Sequence, residues 1–137
     1  MATLSKHGAF IKVSNLRFDI AYCEDGKILR NYGNGWKLHA KLKPGVNWKE
    51  YAQRQADNIK ALPGEYQRFR SMLFRMGKPL KARTIIIAAL ELLSDDIDGL
   101  YSELGDMGLH YGFDELQALA DAFKAWNECK KVIPVSK

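Results

Sequence analysis

The residues with the clearest capacity for chemistry lie in the segment 36–43, where basic and apolar side chains alternate. Every second position is basic, and these positions are Lys37, His39, Lys41 and Lys43. The apolar positions between them are Trp36, Leu38, Ala40 and Leu42. Successive side chains of a β-strand point to opposite faces, so this period of two predicts a strand with one apolar face and one basic face. A row of cations neutralises phosphates, and the basic face therefore predicts binding to nucleic acid.

Arginines before and after this segment are expected to widen the basic surface. Two lie before the lysines and three lie on a later helix: Arg17, Arg30, Arg68, Arg70 and Arg75. Trp36 is expected to stack on a base if its ring is exposed, and to add nothing to binding if the ring belongs to the core. The alternative interpretation of these cations is a solvated surface that only maintains solubility.

Charge is distributed unevenly along the chain. The net formal charge is +5, but residues 1–83 carry 17 Lys and Arg against 6 Asp and Glu, while residues 84–137 carry 4 against 10. Such asymmetry favours a charged partner. The basic segment predicts a polyanion, either DNA or RNA, as that partner.

Catalytic chemistry has little support in the pattern of residues. His39 between two lysines is a candidate general base for a small ribonuclease, with Asp19 on a neighbouring strand as the conceivable acid. No second acid, base or nucleophile lies at a recognisable spacing from it. We therefore predict that the chain is not an enzyme.

Five acidic residues in the C-terminal half form the second candidate site: Asp95, Asp96, Asp98, Glu103 and Asp106. They do not fit a calcium-binding loop, because with Gly99 at its sixth position the first and twelfth residues would be Ser94 and Gly105, which carry no carboxylate. Acids of this kind complement the N-terminus of a helix. They are also suited to imitating phosphates toward a basic partner protein. No metal and no cofactor is expected.

Features that would place the chain at or beyond a membrane are not found in the sequence. Residues 1–6 lack the charged start and apolar core of a signal peptide, and the most apolar run, Thr84–Leu93, is far shorter than the roughly 20 residues that cross a bilayer. Cys23 and Cys129 lie far apart and form no paired motif, which is typical of free thiols in a reducing compartment. A cytoplasmic protein without membrane contact is therefore expected.

The elements that must position these residues are predicted as an α+β fold in a single domain, 1–137. Residues 9–43 are predicted to form a three-stranded antiparallel meander, with strands at 16–23, 27–32 and 36–43 after a frayed tail at 1–8. Residues 47–131 are predicted to form four to five helices around a central apolar helix, 80–93. Asn47 and Glu50 have the spacing of a capping box, and Ser94 or Asp95 is expected to cap the helix after residue 93.

The order of hairpin, third strand and capped helix over residues 15–61 resembles the arm-type DNA-binding domain of tyrosine-family phage integrases. In that family a three-stranded sheet lies on DNA with a helix behind it. The similarity is one of layout, and nothing downstream resembles an integrase catalytic domain. The resemblance implies that the sheet binds nucleic acid.

Two functions follow from these patterns. The first is a small non-enzymatic protein that binds nucleic acid through its basic N-terminal face. The second is a phage or mobile-element inhibitor of a host defence system, comparable to anti-CRISPR proteins, which acts on a host protein through its charged faces. The oligomeric state is left open by the sequence.

Overall fold

The computed structural model describes residues 4–132, with side chains described for residues 4–130. Over these residues the fold is α+β: a short 3-10 helix, Leu4–His7, precedes four strands and five α-helices. The chain divides into two compact units, Met1–Ala61 and Leu62–Lys137. The prediction of a single domain over 1–137 stays a prediction.

The first unit is built on an antiparallel sheet in which the strands lie in chain order. They are β1 (Phe10–Ser14), β2 (Asp19–Cys23), β3 (Lys27–Asn31) and β4 (Lys37–Lys41). The predicted meander is therefore correct in kind but wrong in number, since it has four strands and not three. The first predicted strand, 16–23, began inside the bend between β1 and β2, where the Asn15 N–H donates to the carbonyl of Phe18 (2.9 Å).

Both faces of the central strand β2 are covered, contrary to the half-buried strand that its alternation predicts. One face forms a cluster with Val13, Ile20, Tyr22 and Ile28 that packs against the helix α1 (Trp48–Lys60) through Ala52. The opposite face forms a second cluster of Ala21, Cys23 and Leu29, with Leu4 and Trp36 packed against it. Residues 4–7 are thus an ordered helical turn and not part of a frayed tail.

The turn between β2 and β3 is fastened by polar contacts. Gly26 has φ +87°, a conformation that glycine adopts without strain, and the Lys27 N–H donates to Asp25 Oδ1 at 2.9 Å. Asp25 Oδ2 also lies 2.7 Å from Nδ1 of His7. Desolvation pushes the pKa of Asp25 upward, but these hydrogen bonds and the nearby cations outweigh it and hold the pKa below its usual value.

Within residues 62–132, the described part of the second unit, there are four helices: α2 (Gly64–Met76), α3 (Leu80–Leu93), α4 (Ile97–Asp106) and α5 (Phe113–Val132). The main contacts of α2 are with α3 and α5, and the main contacts of α4 are with the same pair. The prediction of a central α3 with the other helices around it is therefore wrong. Ile86, Ile87 and Leu90 of α3 are buried, whereas Leu92 is 85% exposed. Over the described residues, no helix has the length and apolar character needed to span a membrane.

The predicted N-cap is confirmed for α1 and is wrong for α4. Asn47 caps α1, and its Oδ1 accepts the N–H of Glu50 at 3.1 Å. Asp96, and neither Ser94 nor Asp95, caps α4, with its Oδ1 accepting the N–H of Gly99 at 2.9 Å. Ser94 is the C-cap of α3 and keeps a helical backbone conformation, with its N–H donating to the carbonyl of Leu90, so the cap of α4 falls at Asp96.

Replacing the α1 cap tests how far this helix depends on its first turn. Asn47→Ala is expected to lower the free energy of unfolding by about 1 kcal/mol, because one N–H of the first turn loses its acceptor. Asn47→Asp supplies an equivalent oxygen and should match the wild type. Urea unfolding followed by tryptophan fluorescence measures both, and equal stability of all three proteins would contradict this role for the cap.

Candidate nucleic-acid interface

Strand β4 does not present one continuous basic face, because its ladder with β3 contains a β-bulge. Ile28 pairs with Ala40, but the next residue of β3, Leu29, pairs with Leu38. His39 is therefore an extra residue without an opposite partner, and it reverses the facing of the residues beyond it. The strict alternation predicted for 36–43 is wrong for this reason.

The register places the two strand lysines on opposite faces of the sheet. Lys37 lies opposite Arg30, which itself pairs with Ile20 on the face packed against α1. Lys41 lies opposite Lys27, on the other face. The apolar residues separate as well, because Trp36 packs on the cluster of Ala21, Cys23 and Leu29, whereas Leu42 packs on the cluster that faces α1.

Both ends of the β3–β4 ladder carry cations directly opposite each other. Arg30 faces Lys37 at one end, and Lys27 faces Lys41 at the other. Like charges directly across an antiparallel pair are destabilising, by an amount in the range of about 0.2–1 kcal/mol. Lys37 and Lys41 are exposed, and within residues 4–130 neither forms a salt bridge. An anion bound between the two cations of either pair would relieve their repulsion.

Arg30 is held in position by the bulge. Its Nη1 donates to the carbonyl oxygen of Leu38 at 3.0 Å, next to the unpaired His39. Its guanidinium carbon also lies 6.0 Å from the centroid of the Tyr32 ring. The cation is thus fixed beside an aromatic ring, and little side-chain freedom remains to be lost when a ligand binds.

An aromatic group lies beside these cations. The rings of Phe18 and Tyr32 have centroids 4.8 Å apart, and the ring of His39 lies 6.1 Å from that of Phe18. Tyr32 is 38% exposed, and His39 is also exposed. We call this group of five residues the β3–β4 patch: Phe18, Arg30, Tyr32, Lys37 and His39. It combines two cations with exposed rings on one face.

The other sequence-predicted residues of the first unit lie outside this patch. Trp36 is half-buried and packs against the cluster on the opposite face of the sheet, so its ring is not part of this patch. Arg17 is exposed in the bend between β1 and β2, where it takes part in an interaction of its own. Lys43 is exposed in the connection between β4 and α1.

Three predicted arginines belong to α2 of the second unit. Arg68 and Arg75 are exposed, while Arg70 is half-buried. The guanidinium carbons of Arg70 and Arg83 lie 4.3 Å and 4.2 Å from the centroid of the Phe74 ring. Arg70 therefore has a role in packing this helix, through cation–π contact.

The five predicted acidic residues have different surroundings. Asp95 forms a salt bridge with Lys124 at 3.1 Å, and Asp96 is occupied as the cap of α4. Asp98, Glu103 and Asp106 are exposed on α4. In the part of the chain that the structure describes, no three metal-ligating side chains come together.

The geometry separates the residues considered for catalysis. Asp19 pairs with Asn31 on the face opposite the aromatic group, whereas the ring of His39 lies near Phe18. The candidate acid, Asp19, and the candidate base, His39, therefore lie on opposite faces of the sheet. Cys23 and Cys129 are both free thiols, and burial, with a smaller effect from Asp25, raises the pKa of Cys23 above its usual value. A buried thiol of raised pKa is a weak nucleophile.

Comparison with known proteins identifies no relative: no family model, no curated protein and no solved structure matches the chain. The integrase resemblance thus stays a likeness of layout, and it differs in the number of strands.

The sequence analysis did not identify Phe18 and Tyr32 as members of the β3–β4 patch, nor Lys27 as the cation opposite Lys41. A signal for Tyr32 was present, since it follows Arg30 at the two-residue spacing that puts side chains on one face of a strand. Lys27 and Phe18 become informative only when the strand register is known.

The repulsion across the β3–β4 ladder yields a stability test. Lys41→Glu is expected to raise the free energy of unfolding by about 0.5–1 kcal/mol, because it turns a repulsive pair with Lys27 into an attractive one. Lys43→Glu makes the same change of charge outside the ladder and serves as the control. Urea unfolding monitored by Trp36 and Trp48 fluorescence gives both values. Equal effects of the two substitutions would contradict a specific cross-strand repulsion.

Proposed function

We propose that this protein binds single-stranded nucleic acid, RNA or DNA, through the β3–β4 patch. The observation that carries the proposal is the placement of exposed, unpaired Lys37 opposite Arg30 and beside exposed aromatic rings. Proteins that bind single strands combine cations that follow the backbone with rings on which bases stack. The patch has both parts on one small surface.

Phosphate binding is assigned to the cationic members of the patch. Lys37 has no salt-bridge partner among the described residues, and Arg30 is oriented by the Leu38 carbonyl. Placing a phosphate between them replaces repulsion with two attractive, charge-assisted contacts. Because the two cations repel each other in the free protein, binding of a polyanion is favoured by the relief of that repulsion.

Base stacking is assigned to Tyr32, supported by Phe18. The ring of Tyr32 rests 4.8 Å from that of Phe18, so it is held in place from within the protein while 38% of the residue is exposed. Stacking on an aromatic side chain requires a base that is free of its own helix, which favours a single strand over a duplex. His39 offers a second, smaller ring at the same patch.

Fluorescence anisotropy with labelled 12-nucleotide single strands, and with the matching duplex, tests the proposal. Tyr32→Ala is expected to weaken binding about 5- to 150-fold, the effect of about 1–3 kcal/mol per stacked base. Tyr32→Phe keeps the ring and should bind like the wild type. Lys37→Ala should reduce the dependence of log K on log salt by about 0.7, the contribution of one phosphate contact in a single strand.

Lys130→Ala, which removes one charge from α5 of the other unit, is the control for general electrostatics. It should leave the affinity and the salt dependence close to those of the wild type. The proposal fails if no strand binds at low salt. It also fails if Tyr32→Ala and Lys37→Ala behave like Lys130→Ala, and tighter binding of the duplex would overturn the preference for single strands.

The second candidate function, an inhibitor that binds a host protein, has support from a different part of the chain. Asp98, Glu103 and Asp106 are exposed on α4 and carry no salt bridge within the described residues. Beside Glu103 lies an apolar groove, which bears on protein binding independently of the β3–β4 patch.

A further inference from the structure

An apolar groove lies between α3 and α4 in the second unit. It encloses about 340 Å³, and its lining includes Ile85, Ala88, Leu92, Leu93, Glu103 and Met107. Glu103 is the charged member of that lining. The groove is open along its length, since Leu92 is 85% exposed and Met107 is 53% exposed. Large apolar side chains exposed side by side are typical of surfaces that bind another protein.

The shape of the groove follows from the sequence of α3. Ile85, Ala88 and Leu92 recur at helical spacing of three and four, so they form a second apolar stripe beside the buried one of Ile86 and Leu90. Ala88 is small and leaves a depression, and the larger side chains of Leu92 and Met107 also line the groove. Methionine adapts its shape readily, which suits a surface that receives apolar side chains of a partner.

Charge on the α4 side of the groove favours a basic partner. Residues 84–123, which include most of α3, all of α4 and half of α5, contain nine Asp and Glu and no Lys or Arg. Glu103 lies in the groove itself, one helical turn before Met107, and Asp106 is exposed beside Met107. The groove is therefore apolar at its base and acidic at its border.

We infer that this groove binds a basic amphipathic helix of a partner protein. Such a helix presents apolar side chains at positions i, i+4 and i+7 to the groove, and flanking Lys or Arg residues to Glu103 and Asp106. The ten residues of α4 span about 15 Å, which matches three turns of a docked helix. A second copy of the chain fits less well, because twofold pairing of identical grooves brings two acidic borders together.

Constrained helical peptides of known composition test the inference. The first carries leucines at i, i+4 and i+7 with flanking lysines, the second has the same composition with the leucines spread around the helix, and the third replaces the lysines with glutamates. Binding is measured by fluorescence anisotropy. The first peptide is expected to bind at least tenfold more tightly than the other two, since it alone matches both the apolar spacing and the charge.

Substitutions on the protein locate the binding site. Leu92→Ser is expected to weaken binding of the first peptide about tenfold. Glu103→Lys should also weaken its binding, and this loss of affinity should grow as the salt concentration is lowered. Leu92 is exposed, so its replacement leaves the core intact. Val46→Ser alters another exposed apolar residue, in the first unit, and should have no effect.

Three outcomes would overturn the inference. The first is equal binding of the three peptides, and the second is unchanged affinity of the Leu92→Ser variant. The third is a wild-type dimer, seen by sedimentation, that Leu92→Ser dissociates, because the occupant of the groove would then be a second copy of the chain.

Discussion

The β-bulge at His39 is the constraint on which the arrangement of the N-terminal unit depends. A strand of regular alternation would direct Lys37, His39 and Lys41 to one face and Trp36, Leu38 and Ala40 to the other. The extra residue instead sends Trp36 to one apolar cluster and Leu42 to the other. Both faces of the sheet thereby obtain an apolar contribution from β4 and its flanking residues, which helps to bury β2 on both sides. The same change divides the lysines and leaves cations opposed at each end of the hairpin.

Because the bulge places Lys37 and Lys41 on opposite faces, the sheet has no long basic face. The candidate site is therefore the short end of the β3–β4 hairpin. Arg30 donates to the Leu38 carbonyl beside the bulge, and its neighbour Tyr32 is braced by Phe18. These contacts fix one cation and one ring before any ligand arrives. Preorganisation of this kind improves affinity by reducing the entropy lost on binding. Lys37 then supplies an exposed charge without a salt-bridge partner among the described residues.

The local parts of the fold could be predicted from the sequence, whereas the pairing of distant residues could not. The cap at Asn47, the turn at Gly26 and the bounds of α3 follow from signals within a few residues, and the structure contains them. The strand Phe10–Ser14 was not predicted, because Ile11 and Val13 alone supply its period-two signal. The bulge is invisible locally, since segment 36–43 alternates without interruption and only the register with Ile28 and Leu29 reveals the extra residue. For the candidate site, the basic residues were identifiable by type, but their facing was set by tertiary pairing.

The charge asymmetry along the chain changes sign at residue 84, which is not the boundary between the two compact units. Residues 1–61 carry 11 Lys and Arg against 5 Asp and Glu, and residues 62–137 carry 10 against 11. The second unit is itself divided, because its cations lie mainly on α2 and the start of α3, whereas residues 84–123 have none. The patch and the groove thus lie in different units and have opposite charge. We propose a polyanion as the partner of the patch and a basic helix as the partner of the groove.

Backbone amide chemical shifts, recorded by NMR while a short oligothymidylate is added, test the central claim most directly. The account predicts that the largest shifts occur at Arg30–Tyr32 and Lys37–His39, with little change at Lys12, an exposed cation on the opposite face of the sheet. Shifts concentrated at Lys12 or at Arg68 and Arg75 of α2 would show that the nucleic acid binds elsewhere and would contradict the assignment of the β3–β4 patch.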